Sequence, residues 1–154
     1  MKTFEDLKFI PHSVGDGIHA TMDLENGNTI SVIKTSYSYG GKIGLYELAV
    51  LDPNGKFLDV QGFLKENDVV DIINKEIGKL KVRMAYAEHF ANEEIIYEEY
   101  DHNSGYVYIY LNRAAIGCML GGDVEYLAYD EERDCEKIFE SIEELNEYIN
   151  EKNY

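Results

Sequence analysis

One stretch constrains this chain more than any other: residues 44–52, GLYELAVLD, closed by Asp52-Pro53-Asn54-Gly55. Tyr46, Leu48 and Val50 fall on one side of an extended strand, and Leu45, Glu47, Ala49 and Leu51 on the other. Apart from Glu47 both sides are apolar, which marks a central strand. Pro53 presets φ and Asn54-Gly55 tolerate positive φ, so the strand ends in a tight turn. The strand before it is expected at residues 29–34, entered through Glu25-Asn26-Gly27-Asn28. Residues 35–43 between the two are too many for a minimal hairpin turn, so a loop with room for a function is expected there.

The same alternation predicts a first strand near residues 18–22 and a short fourth one at 56–60. A helical turn over residues 1–7 is expected from Thr3 as N-cap. Apolar spacing predicts a helix over 64–77, ended or bent by Gly78, and a further helix over 80–91. Strands follow at 95–100, 106–111, 124–129 and 136–139. Residues 112–123 read as a glycine-containing connection or partly strand. Ser141, with Glu144 three residues on, caps a last helix to about Asn150.

The second half repeats the first. Ile30 and Val32 match Val107 and Ile109. Tyr46, Leu48 and Asp52 match Val124, Tyr126 and Asp130. Phe63, Val69, Ile72, Ile73 and Asn74 match Phe139, Leu145, Tyr148, Ile149 and Asn150, at offsets of 77, 78 and 76. The expected fold is α+β: two tandem βββα-like units, antiparallel sheets each with a packed helix. The expected division is 1–78, a connecting helix or linker at 79–91, and a second acidic unit at 92–154.

Charge is the strongest compositional fact. The net charge of −16 is split unevenly, with 12 acids against 8 bases in residues 1–80 and 18 against 6 in 81–154. So acidic a surface repels phosphate backbones and disfavours direct nucleic-acid binding. It suits solubility or docking onto a basic partner. No apolar run is long enough to span a bilayer and no leader pattern opens the chain, so no membrane and a cytoplasmic location are expected. The two cysteines, Cys118 and Cys135, cannot make a disulfide framework. Cys118 reads as core, and both are expected to stay reduced.

Residues 9–12 (FIPH), 15–20 (GDGIHA), Asn26-Gly27, 31–33 (SVI), 38–40 (SYG) and 44–51 (GLYELAVL) carry a resemblance. Over roughly residues 3–77 the chain resembles a widespread family of small bacteriophage proteins. Residues 58–65 depart from the acidic, threonine-containing stretch usual in that family. The resemblance implies a phage origin, a cytoplasmic life in an infected bacterial host, and a small antiparallel sheet with a helix. It implies no activity.

Four candidate sites follow. His12, Asp16 and His19 are metal-compatible residue types, but their spacing matches no zinc pattern and a turn-stabilising role is the default. Ser36, Tyr37, Ser38, Tyr39, Gly40, Gly41 and Lys42 could cradle a phosphate-bearing ligand with backbone N–H groups, although the ending and following helix of a P-loop are missing. The acids Glu98, Glu99, Asp101, Asp130, Glu131, Glu132 and Asp134 form the candidate partner-binding set. The ten tyrosines of residues 81–154 could make a stacking surface, with sheet packing as the default. No catalytic set emerges, because Cys118 lacks a base and Cys135 is ringed by acids. No cofactor is implied.

Two functions compete, with an enzyme acting on a nucleotide messenger as a third, unsupported by any catalytic set. One is a phage-encoded inhibitor of a host defence protein (anti-CRISPR-like), whose acids occupy the basic channel of a CRISPR effector or other nuclease. The other is a small-molecule binder that sequesters a nucleotide immune messenger through the loop at 36–44.

Overall fold

The structure is a computed structural model that describes residues 1–101, 105–111, 114–119, 124–130 and 135–151, without the side chains of Tyr129, Asp130 and Cys135. Its elements are β1 (Ile10–Pro11), β2 (Ile18–Asp23), β3 (Thr29–Lys34), β4 (Tyr46–Leu51), β5 (Phe57–Leu64), α1 (Glu66–His89), β6 (Ile95–Asp101), β7 (Tyr106–Leu111), β8 (Ala115–Met119), β9 (Val124–Asp130), β10 (Cys135–Phe139) and α2 (Ile142–Glu151). The fold is α+β. The strands form two five-stranded antiparallel sheets in the orders β1-β2-β3-β4-β5 and β10-β9-β8-β7-β6. The chain divides into two compact units, Met1–Asn74 and Lys75–Tyr154.

In the first unit the expected central strand is central. Ala20, Val32 and Leu48 lie in one row across β2, β3 and β4, and all three are buried. Met22, Ile30 and Val50 form the next row. Phe4 packs edge-on and Phe9 tilted against Tyr46, at 5.3 and 5.7 Å between ring centroids. Asn74 is a buried amide, and it binds the main chain of Lys2 in both directions, accepting at 2.8 Å and donating at 3.0 Å. Residues 1–7 contribute only a single 3-10 turn, Phe4–Asp6. Strand β5 runs past Gly62, longer than expected, because two register shifts against β4 absorb the irregularity. Phe63 sits there at φ 59°, a left-handed backbone that an aromatic residue rarely adopts.

Gly78 neither ends nor bends α1, which is one helix of 24 residues. A mid-helix glycine costs about 1 kcal/mol. Burial of Val69 and Ile73 before it and of Val82 and Ala85 after it outweighs that cost. The division between units therefore falls inside this helix, after Asn74 and ahead of the connecting helix or linker expected over 79–91. The helix starts at Glu66 rather than residue 64, since Asp68 accepts the Lys65 N–H at 2.8 Å.

The second unit is built around Val107, Ile109 and Leu111 of β7, Ile116 and Cys118 of β8, and Ala128 of β9. Val82, Ala85 and Phe90 close this core together with Leu145, Tyr148 and Ile149 of α2. Ser141 caps α2 as expected, its hydroxyl accepting the Glu144 N–H at 3.2 Å. Residues 115–119, expected as a connection or partly strand, form the middle strand of this sheet. That alters the internal correspondence. Counting strands before the helix, β3 matches β8 and not β7, so the pairing of Ile30 and Val32 with Val107 and Ile109 fails. The pairing of β4 with β9 stands. The extra length between β3 and β4, residues 35–45, has only residues 120–123 as its counterpart.

Candidate functional site

The loop at 36–44 is knitted to itself. Ser36 donates its N–H and hydroxyl to the Asp16 carboxylate at 3.1 and 2.8 Å, and these bonds hold the Asp16 carboxyl below its ordinary range. The Thr35 hydroxyl oxygen accepts the N–H groups of Tyr37 and Ser38, both at 3.1 Å. Glu47 takes the Tyr39 N–H at 2.7 Å. Main-chain carbonyls take those of Gly41, Ile43 and Gly44. Glycine is required where this loop meets the rest of the unit. A Cβ on Gly41 would stand 1.8 Å from the Thr35 carbonyl oxygen, and one on Gly62 2.2 Å from the Tyr39 Cβ. These internal bonds spend the N–H groups that a phosphate cradle would use. What the loop offers to solvent is Lys42, Ile43 and the rings of Tyr37 and Tyr39.

His12 and His19 meet edge to face at 5.8 Å, while Asp16 is engaged by Ser36. Among the described residues no three His, Cys, Asp or Glu side chains gather as a metal site.

Among the described residues, the acidic candidates are not gathered on one patch. Glu131, Glu132 and Asp134 lie outside the described residues, as does the side chain of Asp130. β9, which Asp130 ends, is three strands away from β6, which carries the other acids. At about 4.8 Å per strand that is roughly 14 Å, beyond a Debye length of about 8 Å in physiological salt. The acids of β6 are themselves divided between the two sheet faces. Glu98 pairs across to Ile109 on the core side and makes a 2.8 Å ion pair with Arg83 of α1. Glu98 thus helps line a cleft of ≈ 170 Å³ with Lys75, Lys79, Arg83 and Tyr100. Each cation there is already engaged, Lys75 over the Tyr100 ring at 4.5 Å and Lys79 with Glu76 at 2.8 Å. This cleft joins helix to sheet, and Glu98 belongs to that seam rather than to a docking surface.

Glu99 and Asp101 face the other way, onto the side of the sheet opposite α1 and α2. Register sets out that face in rows. Tyr97, Tyr110, Ala115, Leu127 and Ile138 form the first, Glu99, Tyr108, Gly117 and Glu125 the second, and Asp101, Tyr106 and Met119 the third. Tyr97 stacks on Tyr110 at 4.2 Å and 12°, and Tyr106 on Tyr108 at 5.3 Å and 13°. Gly117 makes this possible, since a Cβ there would stand 2.9 Å from both Leu127 and Tyr108, which close over it. Tyr97, Met119 and Ile138 are 51%, 48% and 56% exposed, so the face is open at its margins. Glu99 and Glu136 are exposed there, and Asp101 and Glu125 half-buried. Glu125 and Glu136 were missed from the sequence. The alternations Tyr97-x-Glu99-x-Asp101 and Tyr106-x-Tyr108-x-Tyr110 carry the signal for this face.

The face also shifts its own phenols. A hydrogen bond with Glu125, then burial, pushes Tyr106 up to about 12 from the ordinary 10.0. Burial, then the neighbouring Tyr97, Glu99 and Glu136, raises Tyr110; on the core side of the sheet, burial raises Tyr126 as well. The folded chain holds these protons more tightly than the unfolded one. Their stabilisation is therefore complete below about pH 10 and is lost as pH rises toward about 12. A spectrophotometric titration should show most of the 13 tyrosines ionising first and a late group ionising together with unfolding. A single step near pH 10 with the fold intact would mean that the stacked face does not form.

Among the described residues no helix is long and apolar enough to cross a membrane. Compared with known protein families, with curated proteins and with solved structures, the chain matches none.

Proposed function

We propose that this protein is a binding protein that occupies a basic surface of a host protein, as a phage-encoded inhibitor of a host defence nuclease or CRISPR effector. The observation that carries the reading is the face of the second sheet turned away from α1 and α2, open at its margins, where Glu99, Asp101, Glu125 and Glu136 are interleaved with stacked tyrosines. The half of the chain holding that face has 18 acids and 6 bases, so it attracts a basic partner from a distance and discourages nucleic acid. Aromatic rings give contact area at low entropic cost, and carboxylates around them set orientation. The alternative, sequestration of a nucleotide messenger by residues 36–44, has lost its backbone donors to internal bonds and rests on Lys42 and two exposed rings.

The test is reversal of Glu99, Asp101 and Glu136 to Lys, beside a control with Tyr39→Ala and Lys42→Ala. Phage protection in a bacterial host with active defences, and capture of the defence protein, are the readouts. The reversals should weaken capture by about tenfold or more, chiefly through a slower association. If the reversals leave protection intact and the loop control abolishes it, the ligand-sequestering reading replaces this one.

A further inference from the structure

The open face of the second sheet has more than negative charge, and the additional features select among cations. Resting on the reading above, we propose that it recognises arginine side chains of a protein partner in preference to lysines. Two ring pairs stand nearly parallel on this face, Tyr97 with Tyr110 and Tyr106 with Tyr108. Rings 4.2 and 5.3 Å apart leave no gap to enter, and Tyr108 is buried against Tyr110, so the ring surface on offer is that of Tyr97, half-exposed at the sheet edge.

A planar guanidinium lies flat on such a surface and keeps its N–H edge free for a carboxylate. The carboxylates stand where that edge would reach. Glu99 is directly across from Tyr108 and one row from Tyr97, and Asp101 is directly across from Tyr106. Glu125, half-buried on the same face, accepts from the Tyr106 hydroxyl and adds its negative charge. An ammonium is a strongly hydrated point charge that can neither stack nor fork, so it gains only the Coulombic part. Charge complementarity therefore draws in any cation, and ring geometry with carboxylate placement favours arginine.

The experiment uses the full chain and two probes of equal charge, octa-arginine and octa-lysine peptides, titrated by calorimetry at physiological salt. The arginine peptide should bind about tenfold more tightly. Tyr97→Leu, at a half-exposed edge position, should bring the two affinities together by weakening arginine binding alone, and Glu99→Gln should weaken both. Equal affinities in the native protein would overturn the arginine preference and leave the charge reading standing. A preference that survives Tyr97→Leu and Glu99→Gln undiminished would place it elsewhere and overturn the proposal. If neither peptide binds better than a neutral control, both this inference and the reading beneath it fail.

Discussion

Gly17→Ala is expected to destabilise the protein by roughly 3 kcal/mol or more. Gly17 has φ +91°, and a Cβ on it would stand 2.1 Å from the Lys34 carbonyl oxygen and 2.8 Å from the Thr35 Cα. The left-handed backbone alone accounts for about 1–2 kcal/mol. The remainder arises because both obstructing atoms are main chain, so neither can swing aside. They belong to the end of β3 and the start of the loop held by Asp16 and Thr35, so relief would break that network. Gly44→Ala separates the two contributions. Its φ is +83°, but nothing lies within 4 Å of the added Cβ, so it should cost only the backbone part. Urea unfolding of both variants makes the comparison. Equal losses would mean that the close approach of residue 17 to β3 is wrong.

The second large effect is expected at Leu145→Ala, at about 2–5 kcal/mol. Leu145 is wholly buried in the second unit's core, on the face of α2 that also carries Tyr148 and Ile149. Truncation removes its apolar contacts and leaves a cavity that a helix pinned at Ser141 closes poorly. Glu147→Ala, on the exposed side of the same helix, should stay within about 0.5 kcal/mol of the native protein. If Leu145→Ala is equally mild, α2 is not docked as described.

Much of the architecture was legible because its signals are local. Alternation in residues 46–51 and 106–111 and the Ser141 cap each act within a few residues, and each produced the expected element. β8 was less legible, since Ala115 and Gly117 are weak strand formers. They are small because Tyr108 and Leu127 need the space above them, which is a tertiary requirement. Gly78 misled for the converse reason, as a local helix penalty yielded to burial on both sides. The candidate site was half legible. Glu98, Glu99 and Asp101 are neighbours in sequence, and the pleat of β6 sends Glu98 to Arg83 and the other two to the tyrosines. Glu125 joins them only through the register of two intervening strands, which sequence spacing does not encode.

Every ladder in both sheets joins strands that are consecutive in the chain. Contacts of that kind close short loops, so the entropy lost before each pairing is small and folding is fast for the amount of sheet formed. The order of synthesis then has a consequence for α1. The first sheet is complete at Leu64 and can form while the rest of the chain is still being made. The later turns of α1, with Val82 and Ala85, and Phe90 just beyond them have no sheet to cover them until β6 to β10 have followed. The interval between synthesis of residue 90 and residue 139 is therefore the one in which the nascent chain carries an uncovered apolar helix face. It is the interval in which a chaperone would bind and in which aggregation would begin.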